Sequence, residues 1–177
     1  FTVDWGDGSS STITAHDDAA RSHTYAAAGT YTLVINGTME TIYFNNMGDK
    51  DSLVSIPNLG AVGWTSFAGA FYGCTNLTTV TGGDTSDVTN MAQMFNGASS
   101  VTPNTSDWDV SNVTSMYQMF NGASSANPDT SDWDVSSVTH MASMFAGASS
   151  ANPDTSNWNV SSVIFMNAMF AGANSAN

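Results

Sequence analysis

The chain has 177 residues, 41% of them hydrophobic, which is enough to bury a core. Only 2 Lys plus Arg stand against 15 Asp plus Glu, a formal net charge of −13, so no cationic surface exists to neutralise phosphates or anionic headgroups. Nucleic acid is excluded as an expected partner, as is direct membrane insertion, since no apolar run approaches the roughly 18 residues of a span; the single cysteine, Cys74, excludes an intrachain disulfide.

In chain order, Phe1 leads directly into a strand-like FTVDW, which reads as a fragment cut from a longer secreted protein. Tyr31 to Ile35 and Met39 to Phe44 are β-rich runs flanking Asn36-Gly37, a strong type I′ hairpin signal. Residues 1–46 carry no repeat and are expected to form a β-rich hairpin cap, with residues 47–66 as a joint. An uncovered end of a repeat array exposes core and strand edges, so a cap is a physical requirement.

Residues 47–177 are organised by repetition. Met94, Met119, Met144 and Met169 follow one another every 25 residues, and Trp108, Trp133 and Trp158 keep the same period, as do Pro103, Pro128 and Pro153. FAGAFYGC, with Phe67 and Phe71, is a degenerate earlier unit. A period in the twenties predicts a solenoid of short units. Within one unit, Val138, Met141, Met144 and Phe145 share a helical spacing. Asp87, Asn112, Ser137 and Ser162 precede the equivalent valines as candidate N-caps, and Gly147 is suited to a C-terminal cap. Before the helix, Ser131 to Val135 alternates polar and apolar, predicting a short strand with Trp133 and Val135 inward. The expected fold is therefore α+β, a solenoid with one strand and one short helix per unit behind the N-terminal cap.

The phrase SDWDVSNVTSMYQMFNGASS, recurring as SDWDVSSVTHMASMFAGASS and SNWNVSSVIFMNAMFAGANS, resembles the BspA-type bacterial leucine-rich-repeat surface proteins. DWGDG followed by HTYAAAGTYTLVING resembles the β-rich leader of such proteins and shares words with PKD-type domains. The resemblance implies a leucine-rich-repeat solenoid in a cell-surface or secreted binding protein. Thr105, Thr130 and Thr155 stand where that family often has leucine, so this core is expected to lean on Trp and Met.

Two readings compete for the tryptophans: a stacked core, or an exposed platform for sugar rings. The Met-x-x-Met pairs could offer thioethers to copper, but they share a face with Val and Phe and read as core filler. Cys74 aligns with Ala98, Ala123, Ala148 and Ala173 and is expected to be a buried, inert thiol. His16, His23 and His140 accompany no nucleophile elbow, zinc-helix motif or phosphate loop, so no catalytic residues are expected. On the face opposite Trp, Asp107 and Asp109, Asp132 and Asp134, then Asn157 and Asn159 predict a polar ladder along the units. Like charges at strand spacing repel. Serine and threonine hydrogen bonds, solvent, a cationic ligand or calcium, which takes carboxylate oxygens, could offset that repulsion, and no other cofactor is expected.

The leading functional expectation is a bacterial surface adhesin module, extracellular and not an enzyme, that recognises a glycan or protein ligand through these six residues. The rival is structural self-association. Thr114-Ser115 and Thr139-His140 become Ile164-Phe165 in the last unit, the one place where two polar positions turn apolar together. A terminal unit facing water should become more polar, so Ile164 and Phe165 are expected to form a symmetric homodimer interface.

Overall fold

The computed structural model describes residues 1–176, which form two compact units, the first Phe1–Met39 and the second beginning at Glu40. In the first, β1 (Thr2–Asp4) lies between β2 (Ser10–Thr12) and β3 (Val34–Asn36), antiparallel to both. The β1–β2 connection is a tight turn built by the WGDGS word. Asp4 Oδ1 accepts from the Gly6 N–H at 2.9 Å, Asp7 Oδ1 accepts from the Ser9 N–H and hydroxyl, and Gly6 and Gly8 sit at φ 78° and 91°. Val3, Trp5 and Ile13 are its buried core, with Phe1, Tyr25 and Ile35 packed against them.

The expected hairpin across Asn36-Gly37 does not form. Val34–Asn36 pairs with Thr2–Asp4 in the register Val3↔Ile35, and Thr41 instead makes a parallel bridge to Ser66 in the second unit. Packing Ile35 against the Val3 core outweighs the local turn preference. Gly37, at φ 109°, turns the chain where a Cβ would come within 3.1 Å of the Phe1 Cα.

The second unit corrects the expectation of an α+β leucine-rich-repeat solenoid with one strand and one helix per unit. Among the described residues there is no α-helix, and β4 (Ser55–Ile56) and β5 (Thr79–Val80), paired in parallel, are its only named strands. The repeats are built from turns. Where a helix was expected, Gln93, Gln118, Ser143 and Ala168 sit at φ 58°, 53°, 55° and 55°, left-handed values that no α-helix passes through. Backbone N–H groups there alternate between two destinations. Met119, Asn121 and Ala123 donate three residues back, to Met116, Gln118 and Phe120, while Met116, Gln118, Phe120 and Gly122 donate into the following unit, to His140, Ala142, Met144 and Ala146. A helix would have turned every one of these donors inward along its own segment.

A run of parallel bridges, Thr41↔Ser66↔Asn90↔Ser115↔His140↔Phe165, holds each unit in register with the next. Equivalent side chains therefore stack in columns. Phe71, Phe95, Phe120, Phe145 and Phe170 form one, with successive ring centroids 5.6, 5.5, 5.3 and 5.5 Å apart. Met91, Met116 and Met141, and Met94, Met119 and Met144, are fully buried beside it.

Candidate functional site

The segment expected to be a strand is a pair of Asx turns around a buried tryptophan. Asp129 Oδ1 accepts from the Ser131 N–H and hydroxyl, then Asp134 Oδ1 accepts from the Ser136 N–H at 3.0 Å. Asn104, Asp109, Asp154 and Asn159 do the same for Ser106, Ser111, Ser156 and Ser161. Short acceptors two residues before a serine N–H favour turns over extended chain. The inward and outward sides are nevertheless as the alternation implies: Trp133 and Val135 are buried, Asp132 and Asp134 exposed.

The six candidate ligand-binding residues fall into two sets. Asp109, Asp134 and Asn159 each commit one oxygen to their own turn. Asp107, Asp132 and Asn157 are exposed, and among the described residues Asp132 and Asn157 make no side-chain hydrogen bond, while Asp107 has only a 3.5 Å contact from the Ser106 hydroxyl. The ladder therefore presents one uncommitted polar group per unit.

Repulsion along the units is offset locally. The Ser131 hydroxyl, then its N–H, lower the Asp129 pKa, and neighbouring Asp154 raises it more weakly. The Ser136 hydroxyl and N–H hold Asp134 below its ordinary value in the same way. Among the described residues no three His, Cys, Asp or Glu side chains converge as an ion would need. Asn152, Pro153, Asp154, Thr155 and Ser156 line an open depression beside the last unit.

The tryptophans are core and not a platform. Trp64, Trp108 and Trp133 are buried, and the indole N–H groups of Trp108, Trp133 and Trp158 donate to the carbonyls of Gly82, Thr105 and Thr130. The threonines in place of leucine have a role that composition did not suggest. Thr105 and Thr130 are fully buried, and their hydroxyls donate to the carbonyls of Asp129 and Asp154, one unit on, at 2.6 and 2.7 Å. Thr85 does the same to Asp109 at 2.9 Å.

Cys74 is buried, and burial pushes its thiol up to about 11. His140 lies between the rings of Tyr117 and Phe165, at 5.0 and 4.8 Å. His23 pairs with Asp7 at 2.7 Å, and the Ser9 hydroxyl reaches the same carboxylate. The carboxylate thus lies between serine and imidazole, the reverse of the order in which a histidine activates a serine.

At the last unit Ile164 is 72% and Phe165 51% exposed, with Val160, Met166 and Phe170 also open.

A family model described as "Mycoplasma protein of unknown function, DUF285" matches residues 65–177, well over half of the chain. No curated protein and no solved structure matches it. The match replaces the expected likeness to BspA-type leucine-rich-repeat proteins with a PKD-like leader, and the turn-built units, nearly free of helix, do not fit that family either.

Proposed function

The chain belongs to the family of Mycoplasma proteins of unknown function, DUF285, and from that premise we propose that it is a non-catalytic binding module of a bacterial surface adhesin, working outside the cell. Its ligand is a glycan or a protein segment carrying hydrogen-bond donors or cationic groups. The observation that carries this reading is the row of uncommitted groups, Asp107, Asp132 and Asn157, repeated once per unit, each next to a tryptophan that is buried in the first two units and half-buried in the last. A row of like-placed polar groups at a fixed period suits an extended ligand with a repeating chemistry, because each further unit adds a contact without new ordering cost. Glycan and cationic-peptide arrays test it. Binding abolished by Asp107→Ala with Asp132→Ala supports the reading, and unchanged binding defeats it. These two carboxylates are the right ones to remove, since Asp109→Ala and Asp134→Ala would also break turns.

A second reading is favoured by Ile164 and Phe165, which lie open on the last unit beside Met166 and Phe170. In it the last unit is an association surface, and a homodimer through Ile164 and Phe165 is its simplest form. Light scattering at micromolar concentration tests this: a dimeric mass lost on Ile164→Thr with Phe165→Ser supports it, and a monomer at all concentrations removes it.

A further inference from the structure

The acidic charge is confined to one part of each repeat. No Asp, Glu, Lys or Arg stands in residues 88–106, 110–128 or 135–153, the stretches that carry the bridge ladder and the turns after it. Between the buried Met116 and Met119, Tyr117 and Gln118 are half-buried and turned out of the core. One face of the Tyr117 ring lies against His140, with 5.0 Å between centroids, and Phe165 covers the far side of His140 at 4.8 Å. The tyrosine ring therefore leans toward the following repeat. Its counterpart there, Ala142, is buried, whereas its counterpart in the preceding repeat, Ala92, is half-exposed and offers only a methyl. The other face of the tyrosine is left open on the Ala92 side, with no second ring against it among the described residues.

Amides frame that face. Gln93 Nε2 donates to Gln118 Oε1 at 3.1 Å, and Asn96 Nδ2 donates to the same oxygen at 3.3 Å. Gln93 Oε1 and Gln118 Nε2, one acceptor and one donor, have no partner among the described residues, and both reach solvent. The fold does not ask for glutamine at either position. Both sit in the left-handed region, at φ 58° and 53°, where the equivalent Gly69 fits at φ 65° and the later repeats carry Ser143 and Ala168. A long polar side chain held in a conformation that favours glycine costs stability, and strain of that kind clusters at functional sites.

We propose that Tyr117 with Gln93, Gln118 and Asn96 forms a subsite for a neutral sugar ring, stacked on the open tyrosine face and held by the amides. The ligand class follows from the chemistry. A sugar ring has an apolar C–H face that packs on an aromatic ring, and its hydroxyls both donate and accept, which matches an amide pair offering one of each. A charged group would find no opposite charge in these stretches, and a purely apolar segment would bury the unpaired amide atoms. The inference rests on the reading of the chain as a binding module and goes beyond it, placing a glycan contact on residues other than Asp107, Asp132 and Asn157.

The probes are neutral tetrasaccharides of β-linked glucose, galactose and N-acetylglucosamine, titrated into the whole protein. Magnetic resonance of the Tyr117 ring and the glutamine side-chain amides is the readout, and at least one sugar should shift these signals saturably. Its affinity should fall at least about tenfold in Tyr117→Ala and stay within about threefold in Tyr117→Phe, which keeps the ring. Gln93→Gly with Gln118→Gly separates binding from folding. Its urea midpoint should equal or exceed that of the parent, since glycine relieves the left-handed strain, while the sugar affinity falls at least about tenfold. Asp107→Ala with Asp132→Ala should leave this affinity unchanged. No shift with any of the sugars overturns the proposal, as does binding that Tyr117→Ala leaves intact. Sugar binding lost only with the two carboxylates overturns it while upholding the acidic row, and the converse pattern upholds the subsite alone. A cationic peptide that moves the Tyr117 signals when no sugar does assigns the face to a protein ligand and overturns the proposal as well.

Discussion

Replacing Thr130 by valine keeps the shape of the side chain and removes one hydroxyl from the fully buried interior. That hydroxyl donates to the Asp154 carbonyl at 2.7 Å, so it ties one unit to the next, beside the Trp158 indole that donates to the Thr130 carbonyl. The lost bond is worth about 0.5–1.5 kcal/mol net, and a desolvated acceptor left without a donor adds about 1–3 kcal/mol. Burying a methyl in place of the hydroxyl returns about 0.8 kcal/mol. Because this hydrogen bond is only part-buried, the penalty falls at the low end. The expected net loss is about 1 kcal/mol, or roughly 2–4 °C in Tm for a chain of this size. Thr155, one unit on, is exposed, and its hydroxyl has no partner among the described residues, so Thr155→Val is the matched control and should stay within about 0.5 kcal/mol of the parent. Urea and thermal unfolding followed by tryptophan fluorescence would measure both. If Thr130→Val is neutral, or no worse than Thr155→Val, the threonines are only leucine substitutes and the clasp reasoning is wrong.

Phe120 lies fully buried between Phe95 and Phe145, and Phe120→Ala should cost about 3–5 kcal/mol by thermal unfolding, far more than Phe165→Ala at the open end. Ser143 sits at φ 55°, so Ser143→Gly should stabilise the protein by about 1 kcal/mol; in the helix expected there it would destabilise by a similar amount, and urea midpoints decide between the two. Cys74 should resist a thiol-specific chromogenic reagent at pH 8 in the native protein and react at once in denaturant, as its pKa of about 11 and burial require. Asp7 is held at about 2, below its ordinary 3.8, first by the Ser9 hydroxyl and then by His23. Its folded pKa is depressed, so its contribution to stability is complete above about pH 3.8 and is lost as pH falls through about 2. An acid titration of Asp7→Asn should lack that step.

Much of the inward and outward division was legible without coordinates. Burial follows side-chain polarity, and the 25-residue recurrence put Trp133, Val135, Met141, Met144 and Phe145 inside and Asp132 and Asp134 outside whichever backbone joined them. The columns of like residues follow from the same period. Backbone type was misread because a spacing of i, i+3, i+6 and i+7 is satisfied equally by a chain of three-residue turns, and an apolar-polar alternation equally by two Asx turns around a tryptophan. The signal against strand was present in the recurring Asp-Thr-Ser and Asp-Val-Ser words, each of which supplies an acceptor two residues before a serine N–H. For the candidate site, the sequence placed all six polar residues on the open face but could not separate Asp109, Asp134 and Asn159, tied to their turns, from Asp107, Asp132 and Asn157.

Tertiary structure alone decided where the backbone donors go. In a helix they are satisfied within the segment, so local sequence can specify it; here half of them pair with a unit 24 or 25 residues away, and only the neighbour's presence makes a left-handed Gln118 or Ser143 worth adopting. The same holds at the N-terminus, where Asn36-Gly37 favours a local hairpin, yet β3 pairs with β1 because Ile35 packs onto the core around Val3. Period and polarity are local properties that a sequence carries outright, whereas hydrogen-bond partnership between distant segments exists only once packing has brought them together.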